Sequence, residues 1–320
     1  MYHSFCRFIA LHYLRTQEKI RLNKGMKSGL FYHLVALIVV GIWGVTFINS
    51  KILLQHGLTP HEIFELRFIL AYVCIWFISS RKWFADSWKD ELLMVALGIT
   101  GGSFYFLAEN TAVGLTYVNN VSFIITINPL ITTFLSIWLL HNVKPTRSLL
   151  LGSLVAILGV ALVIYNGRFV LRLNPLGDFL TLLAGFSWAV YSLLIKGIST
   201  HYDITFITRK VFGYGLLTML PVFLVYPWQT SLSTLADPVV WGNLLFLGFI
   251  ASFACFALWN IALGKIGTIA TSNYIYLNPL TTMVASAIFL NEPVTPLAYA
   301  GCFLTLAGVY WANKQIVYIK

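Results

Sequence analysis

The chain has 320 residues, of which 58% are hydrophobic and only 10% charged, and its mean hydropathy is +0.80. A soluble domain carries about 25% charged residues, so this composition excludes an ordinary soluble protein and places the chain in the membrane class. The formal net charge of +10 would suggest nucleic acid for a soluble protein; here the placement of the charges carries the information, and no nucleic-acid partner is expected.

Residues 1–32 are basic, with Arg7, Arg15, Lys19, Arg21, Lys24 and Lys27, and they lack the continuous apolar core and small-residue cleavage site of a signal peptide. Two readings stand: a cytoplasmic amphipathic arm on anionic lipid, or a natural start at Met26, directly before the first span. The second is favoured. From there ten apolar spans are expected, at 33–53, 61–80, 92–112, 118–139, 147–166, 176–196, 206–226, 239–262, 268–290 and 296–315. Each is close to the roughly 20 residues that cross a bilayer. The links between them are too short for a soluble domain. With the N-terminus inside, seventeen Lys and Arg fall on inner segments, and only Lys51, Arg168 and Arg172 on outer ones. This bias sets both termini in the cytoplasm. Cys6, Cys74, Cys255 and Cys302 have no metal or disulfide spacing and read as small apolar packing residues.

The sequence Asn-Pro-Leu occurs twice, at Asn128-Pro129-Leu130 and Asn278-Pro279-Leu280, 150 residues apart. At the same offset Asn110 matches Asn260, Gly114 matches Gly264, Ser122 matches Ser272 and Thr132 matches Thr282. Trp43 and Lys51 have counterparts in Trp188 and Lys196 at the same separation. The chain therefore divides into two five-span repeats, 33–166 and 176–315. An odd number of spans per repeat forces the second into the membrane upside down relative to the first. The predicted fold class is an all-α integral membrane protein: ten transmembrane helices as two inverted five-helix repeats. Paired interruptions at corresponding positions of two such halves point to a secondary transporter.

The residues that follow this plan resemble the drug/metabolite transporter superfamily, specifically its EamA-type ten-span members. The resemblance is carried by Ile42-Trp43-Gly44-Val45-Thr46-Phe47, by Pro60 with Arg67, and by Gly177-Asp178. Ser187-Trp188-Ala189-Val190-Tyr191, both mid-span prolines and the Leu290-Asn291-Glu292-Pro293-Val294-Thr295 turn leading to Gly301 and Gly308 complete it. The chain departs from the pattern at Asn142, where the first repeat usually has a glutamate matching Glu292; a symmetric pair of turn carboxylates is therefore not expected. The resemblance implies a central cavity between the halves, alternating access, and export of small metabolites such as amino acids.

Trp43, Thr46, Phe47 and Ser50 recur at helical spacing and form one stripe of the first span. Ser187, Trp188 and Tyr191 take the related place in the sixth. Such stripes read either as an amphiphilic cavity wall or as packing and interface rings. Asn128 and Asn278 either hydrogen-bond substrate or satisfy a carbonyl near their prolines, the second being the nearer option. Of the ionisable residues, Glu65, Arg67 and Asp178 read as interfacial side chains reaching water. Glu109 stands out as a candidate for proton coupling or cation recognition. The candidate substrate site is Trp43, Thr46, Phe47, Ser50, Glu109, Asn128, Trp188, Tyr191 and Asn278. The run Gly98-Ile99-Thr100-Gly101-Gly102 lacks the strand and GK[ST] of a phosphate loop and reads as helix packing.

No catalytic residue, metal site or cofactor is called for, and the expected partners are a small-molecule substrate and the lipid bilayer. A monomer suffices for this plan and a homodimer is compatible with it. The leading function is a secondary transporter in the bacterial cytoplasmic membrane, exporting a small neutral, zwitterionic or amphiphilic solute. The alternatives are a sugar-phosphate or nucleotide-sugar exchanger of the same superfamily or, from other classes, a membrane-embedded enzyme or a channel.

Overall fold

The computed structural model describes residues 26–140, 143–144, 146–165, 174–290, 295–314 and 317–318. Among these residues the chain forms ten long helices. They are α1 (Met26–Gln55), α2 (Pro60–Ile78), α3 (Trp88–Leu115), α4 (118–140), α5 (Arg147–Tyr165), α6 (Pro175–Ile198), α7 (Ile204–Val225), α8 (Pro238–Ile266), α9 (268–290) and α10 (Pro296–Lys314). A single turn, Leu232–Leu235, precedes α8. Two two-residue strands, β1 (Val143–Lys144) and β2 (Val317–Tyr318), pair antiparallel. The expectations for the basic arm before Met26, for Arg168 and Arg172, and for Asn142 and Glu292 fall outside the described residues.

Six of the helices, α1, α3, α4, α6, α7 and α8, are long and apolar enough to cross a bilayer by length and composition. Large apolar side chains face outward from the bundle, among them Phe77, Leu224, Phe303 and Tyr310. A surface of this kind is stable against hydrocarbon and a liability in water.

Polar contacts between connecting segments sort to the two ends of the bundle. At one end, buried Glu62 at the start of α2 accepts from the backbone of Gln229 and Thr230 and from the Thr230 hydroxyl. Asn174, ahead of α6, donates to the Leu115 carbonyl at the end of α3. At the other end, Arg209 of α7 donates to the carbonyls of Ser80 and Lys82, and Lys210 pairs with Glu91 at the start of α3. Lys82 also pairs with Asp86 and holds that carboxyl below the usual carboxylate range by a direct hydrogen bond. The strand pair β1–β2 brings the α4–α5 link to the segment after α10. By these contacts α2 runs opposite to α3, and α6 opposite to α7.

The irregularities of the helices also recur. The π-helical stretch Ile99–Ser103 in α3 has a counterpart at Phe246–Ala254 in α8, and 3-10 turns precede the prolines of both α4 and α9. Pro129 has no N–H to give the Ile125 carbonyl four residues back. The tightened turn supplies one instead: the Asn128 backbone N–H bonds Ile125, and the Asn278 N–H bonds Ile275 in the same way. The carbonyl left by each proline is thus met by backbone, which releases the asparagine side chains for other contacts.

Two lysines mark the same relation. Lys51 of α1 donates to Val113 near the end of α3 at 2.8 Å, and Lys196 of α6 donates to Gly264 near the end of α8 at 2.7 Å. Each cation sits at the negative end of a helix dipole, on a neighbouring helix rather than its own. Helices α5 and α10 form a seam of their own, where a Cβ on Gly152 would stand 2.3 Å from the Ala312 nitrogen and one on Gly308 2.4 Å from that of Ala156.

Candidate functional site

A pocket lies within the bundle, with about 470 Å³ of space between its atoms, open solvent included. Its walls come from α1, α2, α3 and α4 of the first half of the chain and α6, α8 and α9 of the second. The first-span stripe supplies Trp43, Thr46 and Phe47, and α6 supplies Trp188. The two tryptophans meet edge to face with centroids 5.3 Å apart. Trp259 and Phe256 of α8 meet Trp43 in tilted and edge contacts at 4.9 and 6.0 Å, and Tyr105 of α3 lies 5.0 Å from Trp188. Rings in such offset and edge contacts form a rigid apolar wall with few rotatable bonds.

Close approach of α1 and α9 fixes one corner of this box. A Cβ on Gly44 would fall 1.7 Å from the Thr281 hydroxyl oxygen and 2.9 Å from the Asn278 carbonyl, so only glycine lets the helices meet here. Thr282 of α9 donates to the Gly44 carbonyl at 2.8 Å and locks the approach. The π stretch of α8 serves two side chains of the first half. Ala251 accepts the Trp43 indole N–H at 2.9 Å, and Ser252 accepts from Arg67 Nε at 2.8 Å.

Of the nine sequence candidates, Trp43, Thr46, Phe47, Glu109, Asn128, Trp188 and Asn278 line the cavity together. Ser50 and Tyr191 are buried but lie outside its lining. The Tyr191 hydroxyl donates to Asn260 Oδ1 at 2.7 Å, and Asn260 donates in turn to Thr208 at 3.0 Å, tying α6, α8 and α7. The Tyr191 ring fills the space above Gly101, where a Cβ would be 2.3 Å away.

The polar groups of the cavity are few and unevenly engaged. Glu109 is buried, and its Oε1 accepts from the Tyr105 hydroxyl at 2.7 Å. Asn128 donates to the Gly185 carbonyl at 2.7 Å. Asn278 Oδ1 and Trp188 Nε1 are buried without a hydrogen-bond partner. Such groups cost free energy until something meets them.

Arg67 is the residue that sequence reasoning misplaced. Read as an interfacial side chain, it is instead 2% exposed, part of the cavity wall, with its guanidinium carbon 4.3 Å over the Phe106 ring. The reason lies in packing: α2 is wedged between α7 and α8, which holds the side chain inside the bundle and away from the interface. The usable signal was a basic residue seven positions inside a helix of apolar neighbours. Tyr105, Phe106 and Phe256 carried no such mark, because aromatic residues line most faces of this bundle.

A model of the EamA-like transporter family matches residues 30–165 and 175–314. An uncharacterized transporter of Archaeoglobus fulgidus is 28% identical over 88% of this chain and 97% of its own length. Proteins named probable amino-acid metabolite efflux pump, from Salmonella typhimurium and Escherichia coli, are 29% and 27% identical over 86% of this chain and 92% of theirs. A solved structure shares the fold with a TM-score of 0.65 at 14% identity, covering 89% of this chain and 96% of that one.

Proposed function

The chain belongs to the EamA-like transporter family, whose members are multi-pass membrane transporters of the drug/metabolite superfamily, and we propose that it exports a small neutral, zwitterionic or amphiphilic solute by alternating access. All ten helices cross the membrane, both termini are cytoplasmic, and residues 33–166 and 176–315 are inverted repeats that rock about the cavity. Trp43, Thr46, Phe47, Trp188, Glu109, Asn128 and Asn278 hold the solute.

The observation that carries this reading is the cavity itself, closed in by residues of both halves. Recurrence of the π stretches, the 3-10 turns and the lysine contacts in each half supports the repeat assignment. The sorting of contacts to two ends supports ten crossings, since the end holding Lys82, Lys89, Arg209 and Lys210 is the one that the basic residues assign to the cytoplasm. Aromatic walls with one acid and one arginine suit a solute of low net charge. The relatives named for amino-acid metabolite efflux point the same way.

Reconstitution into proteoliposomes tests it. Saturable flux, accelerated by the same solute on the far side, is expected of a carrier. Ohmic conductance without counter-transport would sink the proposal.

A further inference from the structure

Four Lys and Arg side chains are buried among the described residues: Arg67, Lys196, Arg209 and Lys210. Three of them are spent on the protein. Lys196 is taken by the Gly264 carbonyl, Arg209 by the carbonyls of Ser80 and Lys82, and Lys210 by Glu91 and the Trp83 carbonyl. Arg67 differs. Its Nε is used by Ser252 and its face by Phe106. Among the described residues no protein hydrogen bond takes its two terminal nitrogens, and the residue lines the cavity.

From this we infer that Arg67 is the residue that recognises an anionic group of the transported solute, and that this group is a carboxylate. The inference rests on the transporter reading above and deepens it. A guanidinium offers five N–H groups in a planar fork, and a buried one with a single bond satisfied is far from its optimum. The fork matches a carboxylate in two parallel hydrogen bonds, the strongest arrangement open to it.

Glu109 does not fill that role. Its charge is coupled to that of Arg67, but the contact ion pairs of the described residues lie elsewhere, and its Oε1 is turned to Tyr105. The cavity thus holds a positive and a negative group set apart, with the unpartnered Asn278 oxygen as a further acceptor. A carboxylate on Arg67 with a cationic group toward Glu109 and Asn278 leaves the filled site neutral. A phosphate ester or a dicarboxylate would bring a second negative charge that no other cation in the wall offsets. The solute's apolar part lies against Trp43, Trp188 and Phe256.

Three phenyl compounds of one skeleton separate the charges: L-phenylalanine, phenethylamine, which lacks the carboxylate, and 3-phenylpropionate, which lacks the ammonium. L-leucine, isopentylamine and 4-methylpentanoate do the same with an aliphatic skeleton. Binding to the purified full chain is read by indole fluorescence and thermal shift, and counterflow is read in proteoliposomes. On the wild type the zwitterion is expected to bind about tenfold or more tightly than its amine. Arg67→Gln removes that preference by weakening the zwitterion and the acid while leaving the amine unharmed; Arg67→Lys falls between. A merely structural arginine would weaken all compounds alike. Equal binding of amine and zwitterion by the wild type overturns the inference, and so does a preference that survives Arg67→Gln. If the variant does not fold, the wild-type ranking alone decides. Should none of the six bind while a solute without a carboxylate shows counterflow, the inference falls and the transporter stands; with no flux of any solute, both fall.

Discussion

The Asn128 side chain donates to the Gly185 carbonyl at 2.7 Å, whereas its repeat-related partner Asn278 keeps a buried oxygen that nothing in the protein meets. Both asparagines precede a proline, and in both the backbone N–H has relieved the side chain of the carbonyl the proline leaves. Both line the cavity, but Asn128 is also a strut between α4 and α6, whereas Asn278 keeps spare capacity there. Asn128→Ala is expected to lower the thermal midpoint, since it removes a buried hydrogen bond between α4 and α6 worth about 0.5–1.5 kcal/mol. Asn278→Ala is expected to hold its midpoint and to change solute affinity in equilibrium binding. Equal losses of stability in both variants would remove the distinction.

Glu109 is the acid on the cavity wall, held by Tyr105 and facing the field of Arg67. If its protonation is coupled to transport, exchange rates should depend on pH in the wild type and lose that dependence in Glu109→Gln. Tyr105→Phe removes the hydrogen bond without removing the acid and should displace the pH profile without abolishing it. Normal transport by Glu109→Gln with an unchanged profile would end the idea. Proteoliposomes with a set internal and external pH make the measurement.

The seam between α5 and α10 depends on glycine. The neighbours of an added Cβ on Gly152 or Gly308 are backbone atoms of the facing helix, which cannot rotate away as a side chain can. Gly308→Val should therefore lose folded protein or drop the midpoint by the equivalent of about 3 kcal/mol or more. Gly242 in α8 is the contrast, with nothing within 4 Å of an added Cβ. There Gly→Ala should be neutral or stabilising by roughly 0.5–1 kcal/mol through backbone entropy. Fluorescence-detected size exclusion after heating compares the two.

Much of this was legible in the sequence because bilayers impose a simple code. Apolar length marked the helices, and the Asn-Pro-Leu pair marked the correspondence of α4 with α9. Helical spacing put Trp43, Thr46 and Phe47 on one stripe, and the structure lines the cavity with all three. Spacing failed where the partner helix decided the outcome. Tyr191 shares a stripe with Trp188, yet the bare backbone at Gly101 draws its ring away from the cavity. Arg67 looked interfacial because depth along α2 was readable and the packing of α2 against α7 and α8 was not. Lys51 and Lys196 were legible only as a matched pair; that they reach neighbouring helices is a tertiary fact no local pattern encodes. The π stretches were hidden as well, since Gly101-Gly102 reads as close helix packing and carries no sign of a change in helix type.

Orientation gives the last prediction. The segment 226–237 is held to the start of α2 through Glu62, and Asp237 lies 3.9 Å from His56, so these residues share one end of the bundle. Asp203, which caps α7, belongs to the opposite end with Arg209, Lys210 and the 79–87 link. Basic residues crowd that second end, and the electrical asymmetry of membrane insertion keeps such segments in the cytoplasm. With the native cysteines replaced, Ser233→Cys should react with a membrane-impermeant maleimide on intact cells. Asp203→Cys, also exposed, should react only after the cells are permeabilised. The reverse pattern would invert the protein in the membrane, and reaction of both from outside would contradict an odd number of crossings between them, which the single helix α7 and ten spans in all require.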